Sequence, residues 1–165
     1  MATAAHIPIE VYLHSSYEPD AEYVDGDIEE RHVGEYDHNA VQKAILIWFY
    51  LHEKEWQIRS IQEQRTRVSA TRIRLPDVSV FQRSVPVEQV FTRPQLIAIE
   101  VLSPEDRRSK VDEKIADYRR FGGRTYLGGR SEEAHRLGLQ FVRVDRDREI
   151  HGRRIANLPL TARSV

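Results

Sequence analysis

At 165 residues and 40% hydrophobic content the chain has room for one domain around one core and is short for two. It has no cysteine, and its seven histidines lack short paired spacing, which excludes a disulfide framework, a thiolate zinc site and a two-histidine metal helix. A net charge of −1 with 31% charged residues describes a domain of mixed surface charge, so any DNA contact is expected to be local.

The opening MATAAHIPIEVYLHSS has no basic start followed by a long apolar stretch, and no later segment approaches the ~20 apolar residues of a membrane helix. A cytoplasmic protein is expected. IPIEVYLHS reads as a short helix before the turn-like SYEPD, and EYVDGDIEERHV reads as a hairpin around Asp25-Gly26. Val41, Ala44, Ile45, Trp48, Phe49 and Leu51 recur at helical spacing, which predicts a helix capped by Asp37 and running to about Lys54. Residues 57–83 alternate in short apolar and polar steps and read as two or three strands. LIAIEVL, Leu96 to Leu102, is an apolar run interrupted by one carboxylate, the pattern of a strand buried on both faces and central in its sheet. Ser103-Pro104-Glu105-Asp106 then offers an N-cap, a first-turn proline and an acid for a helix to about Phe121, which Gly122-Gly123 ends. The order is that of a layered α/β domain.

An ionised Glu100 inside LIAIEVL needs a partner or a cation, because burying a lone charge costs several kcal/mol. Asp77 directly follows Pro76 in the preceding strand region. If the two strands are neighbours, the carboxylates converge at one end of the sheet, and with the Val101 carbonyl they would suit Mg²⁺ or Mn²⁺. Lys110 and Lys114, four apart on the next helix, can reach back over that strand end. Plainer readings stand beside these: a turn acid for Asp77, solvated lysines, a capping or surface role for His38. Arg59, Arg65, Arg67, Arg72, Arg74 and Arg83 are either phosphate contacts or ordinary solvent-facing strand residues, the second being the commoner case.

Several ordered motifs resemble the Uma-two family, a former domain of unknown function in the PD-(D/E)XK nuclease superfamily. They are EYVDGDIEER, a histidine opening a long helix (His38), PDVSVF, IAIEVLSP, and Lys114 four residues before Tyr118 in KIADYRRFG, together spanning about residues 8–122. The resemblance implies a restriction-endonuclease-like core, a mixed central sheet flanked by helices, in which Asp77 and Glu100 bind the divalent ion for DNA cleavage. The superfamily lysine normally stands two residues after the glutamate; here that place is Leu102, and the family pattern gives the role to Lys114. Glu22 and His38 match further family positions that line the site. A homodimer is the expectation by analogy only.

The resemblance stops after residue 122, where the family continues with a strand like WVVDP and this chain reads LGGRSEEAHRL. One back-translation of Leu127 to Ala134 is CTG GGT GGT CGA TCC GAA GAA GCG. Read one base later it gives WVVDPKK. Residues 1–122 are therefore expected to be nuclease-like and 123–165 an atypical tail placed out of frame by a one-base change, in keeping with its nine arginines and no lysine. Loss or replacement of the last core strand would bare the edge of LIAIEVL and give an unstable or inactive product, unless LQFVRV, Leu139 to Val144, fills it. The alternative is a genuine divergent tail, and with it a nuclease fold kept as a DNA- or protein-binding module.

Overall fold

Eight strands and three helices make up the computed structural model, which describes residues 6–31, 35–102, 107–122 and, as backbone, 125–130. The strands form two four-stranded sheets. Helix α1 (Ile9–Leu13) leads into the hairpin of β1 (Ala21–Val24) and β2 (Asp27–Glu30). Asp25 and Gly26 both have positive φ, 51° and 103°, the primed turn whose twist matches a two-residue hairpin. A methyl group added at Gly26 would fall 2.2 Å from His6 Nδ1. Gly26→Ala is expected to cost about 1 kcal/mol or more, read as a lower urea midpoint at unchanged slope.

Strand β1 also pairs with β5 (Arg72–Arg74), and β4 (Thr66–Ser69) closes the first sheet in the order β2-β1-β5-β4. Its core is aromatic and aliphatic: Tyr12, Tyr23, Ile73 and Leu75, with the Tyr12 hydroxyl donating to the Ala21 carbonyl at 2.7 Å. The second sheet runs β3 (Ile58–Gln62), β6 (Val78–Gln82), β7 (Ile97–Leu102) and β8 (Thr125–Arg130). Residues 57–83 thus hold four strands, more than alternation alone predicts, because β4 and β5 are too short to leave a clear period.

Helix α2 (Tyr36–Trp56) lays Ile45 and Phe49 on Ile58, Val78, Val80, Ile99 and Val101. It begins at a Glu35 N-cap, so Asp37 sits in its first turn and is not the cap. Helix α3 (Arg108–Phe121) packs Tyr118 against Ala98 on the other face. Alternation along β7 therefore sends Ile99 and Val101 to α2 but Glu100 to α3. The expected cap at Ser103 to Asp106 lies outside the described residues; the described helix starts from Arg107, with no side-chain cap bond, and ends at left-handed Gly122.

β7 is interior, as its apolar run predicts, antiparallel to β6 and parallel to β8. The edge beside it is occupied by residues 125–130, with Gly128 opposite Glu100 and Gly129 opposite Val101. Glycine is a poor strand former. LQFVRV and the rest of the tail from residue 131 lie outside the described residues. Among the described residues no helix is long and apolar enough to cross a membrane.

Candidate active site

Because Val78 pairs with Ile99 in the antiparallel β6–β7 ladder, the next positions outward are Asp77 and Glu100. The two acids that the sequence singles out thus stand at opposed positions at the end of adjacent strands. Both are buried.

Each carboxylate is held differently. Asp77 Oδ2 accepts the Val101 N–H at 2.6 Å and lies 3.4 Å from His38 Nε2, while Oδ1 accepts from Arg31. Its main-chain carbonyl takes the Gln42 side-chain amide at 2.9 Å, so α2 reaches the site through two residues one turn apart, His38 and Gln42. Burial works against the Asp77 charge, but the His38 hydrogen bond, the Arg31 guanidinium and the Val101 N–H outweigh it and hold the carboxyl below its usual range. The bond to Asp77 in turn raises the His38 imidazole despite its partial burial.

Glu100 behaves oppositely. Burial first, then the nearby Asp77 and Glu22 charges, push it up to about 7, against the opposing pull of Lys114 and the Tyr118 hydroxyl. Oε1 accepts from Tyr118 at 2.6 Å and Oε2 lies 3.3 Å from Lys114 Nζ. Lys114 is also 3.1 Å from Glu22. Burial alone would lower the Lys114 ammonium, yet the two carboxylates win and raise it, so it remains protonated.

Behind this pair lies an ion cluster. Glu22 accepts from Arg74 and from the Leu75 N–H, each at 2.9 Å, and Arg74 continues to Asp117 at 2.7 Å. Lys114, Asp117 and Tyr118 share one face of α3 at helical spacing, and all three point to this side. Of the other residues expected near the site, Lys110 instead pairs with Glu29 on β2. Arg72 and Arg74, considered above as phosphate contacts, are committed to acids: Arg72 to Asp25, Glu113 and Asp117, Arg74 to Glu22 and Asp117. Arg65 pairs with Asp20 and lies over the Tyr12 ring.

The donor chemistry fits a hard divalent cation. Two carboxylates stand at the ends of adjacent strands, and a cation near them would relieve both the burial that chiefly lifts Glu100 and the repulsion from Asp77 that adds to it. Among the described residues no three acidic or histidine side chains gather at ligand spacing. At Val101 the observed contact to Asp77 is the N–H.

Comparison with known proteins follows the same direction. The family model Uma2, described as "Putative restriction endonuclease", matches residues 9–155. The chain belongs to the Uma2 family. The matched range extends beyond Gly122 into the tail. No curated protein matches the sequence. A matching solved structure is a crystal structure described as "a putative nuclease belonging to DUF820 from Anabaena variabilis", with a TM-score of 0.68 and 23% identity, covering 76% of this chain and 74% of that one. At that identity the likeness carries the fold, and this Uma2 chain has the mixed α/β nuclease-like fold expected of it.

Sequence reasoning missed Gln42 and Arg74 as neighbours of the site, and saw Arg31, Asp117 and Tyr118 only as parts of family motifs. Spacing held a signal for three of them: Gln42 stands one turn after His38, and Asp117 and Tyr118 one turn after Lys114. Arg31 and Arg74 gave none.

Proposed function

We propose that this Uma2 chain is a Mg²⁺- or Mn²⁺-dependent endonuclease that hydrolyses DNA phosphodiesters, with Asp77 and Glu100, joined by the Val101 carbonyl, as the ion's protein ligands. The observation that supports it best is the placing of Asp77 and Glu100 at opposed positions of adjacent strands, with a permanently charged Lys114 ammonium 3.3 Å from Glu100. A bound divalent ion supplies an oriented, more acidic water and offsets charge growing on the phosphate. The chain's own residues supply the rest. The Tyr118 hydroxyl and the Lys114 ammonium fix the two oxygens of Glu100, and the Val101 N–H and His38 fix Oδ2 of Asp77. Lys114, kept protonated by Glu100 and Glu22, is suited to stabilise negative charge and not to accept a proton. Glu22 and His38 line the site through these contacts; Lys110 belongs to its rim by way of Glu29.

Supercoiled plasmid incubated with the chain and Mn²⁺ is expected to be nicked and linearised, and EDTA to stop it. Equal cleavage in EDTA would remove the proposed chemistry. Gel filtration with light scattering tests the homodimer proposed by analogy.

A second reading, an inactive fold or a binding module, is favoured by one feature: β8 lays Gly128 and Gly129 against the strand that carries Glu100. The one-base shift proposed for the gene would place WVVDP from position 127, giving this parallel edge two valines in place of glycines. Sequencing codons 118–140 decides whether the tail is in frame. A frame that restores WVVDP means the cleavage assay belongs to the repaired chain; a secure written frame makes the tail genuine.

A further inference from the structure

Arg31 follows β2 directly, and its side chain is only 16% exposed. Its guanidinium is divided between two acids. One nitrogen donates to Asp77 Oδ1 and the other lies 3.3 Å from Glu63 Oε1. A guanidinium keeps its proton throughout the pH range in which proteins stay folded, so the charge is permanent.

The two oxygens of Asp77 are not equivalent. Oδ2 is occupied from the protein interior by the Val101 N–H and by His38. Oδ1 is the one left to coordinate an ion, and Arg31 sits on it. A guanidinium within hydrogen-bond reach of that oxygen and a divalent ion at about 2.0–2.2 Å from it would be a few ångströms apart, with strong like-charge repulsion at any protein dielectric. Glu63, whose side chain is 42% exposed, offers the guanidinium a place to withdraw to without losing its charge partner.

We propose that Arg31 is a resident substitute for the metal: it neutralises Asp77 in the ion-free protein and must leave Oδ1 when a divalent cation binds. The inference rests on the metal-site reading above. The arrangement sets a threshold, because the ion has to compete with a tethered positive charge.

The test is calorimetric titration of the intact chain with Mn²⁺, comparing wild type, Arg31→Gln and Glu100→Gln. Arg31→Gln removes the charge but keeps an amide that can donate to Asp77. It is expected to bind Mn²⁺ about tenfold more tightly than wild type, while Glu100→Gln loses binding. If Glu100→Gln abolishes binding but Arg31→Gln binds with the same or weaker affinity, the substitution idea is wrong and the metal site stands. If neither wild type nor Arg31→Gln binds Mn²⁺, both fall. A second measurement needs no variant at position 31 to fold: in wild type, Mg²⁺ should speed the solvent exchange of the Arg31 guanidinium protons, followed by nitrogen-edited NMR. Unchanged protection at saturating Mg²⁺ would overturn the proposal.

Discussion

Glu100→Gln is expected to lower DNA cleavage by about 10³-fold or more while leaving the protein folded. The factor follows from what the side chain does: losing one hard anionic ligand and one of the charges that hold Lys114 removes several kcal/mol of transition-state stabilisation. Folding is retained because the amide is isosteric and the ionised carboxylate is itself a burden. Its folded-state pKa, about 7, lies above the ordinary 4.5, so the fold favours the protonated form. The contribution of Glu100 to stability is therefore present below about pH 4.5 and is lost as pH rises through 7. Asp77 and Glu22 are shifted the other way and lose their contributions as pH falls, so the net curve of the wild type mixes both signs. The difference between wild type and Glu100→Gln isolates the one group. In metal-free buffer the wild type should lose stability relative to the variant between about pH 4.5 and 7, measured by urea unfolding. Cleavage that survives Glu100→Gln would end the proposed mechanism; a variant that fails to fold at pH 7 would show that the carboxylate is structural.

What could be read from the sequence was whatever leaves a one-dimensional trace. A lone acid in LIAIEVL is conspicuous, because apolar runs of that length are buried and charges there are rare. The long helix announced itself by period, and the hairpin by Asp25-Gly26. Asp77 was legible only conditionally, since its partnership with Glu100 depends on β6 and β7 being neighbours in a register that no local pattern specifies. Arg31 was visible only as the last residue of the motif EYVDGDIEER, with nothing to mark its partner. In EERH it looks like any solvated charge, and only the β1–β2 hairpin brings it 46 positions across to Asp77. Arg74 was misleading: the alternation in RIR suggests a strand with arginines facing water, yet β5 is an interior strand of its sheet. Its acids arrive from β1 and α3, 52 and 43 positions away.

Arg74→Met should therefore be the most destabilising of the substitutions considered, by about 3 kcal/mol at neutral pH. Arg74 is fully buried, 0% exposed, and its guanidinium lies between Glu22 and Asp117, which are almost equally enclosed. Methionine fills much of the same volume, so the loss is electrostatic more than steric. Removing one member of a buried ion cluster costs about 3–5 kcal/mol, because the partners remain charged and dry. The lower end applies here. Glu22 still has Lys114 and the Leu75 N–H, and Asp117 still has Arg72 and Arg120. Against a total stability of about 5–15 kcal/mol for a domain, that loss is large. Adding Glu22→Gln and Asp117→Asn should recover part of it, since the stranded charges go with them; a sum of independent losses would mean that the cluster is not coupled. The same cluster fixes Glu22, and Glu22 fixes Lys114, so any Arg74→Met protein that folds should also cleave more slowly. A midpoint shift worth less than about 1 kcal/mol would place the arginine among surface ion pairs in energetic terms, despite its burial.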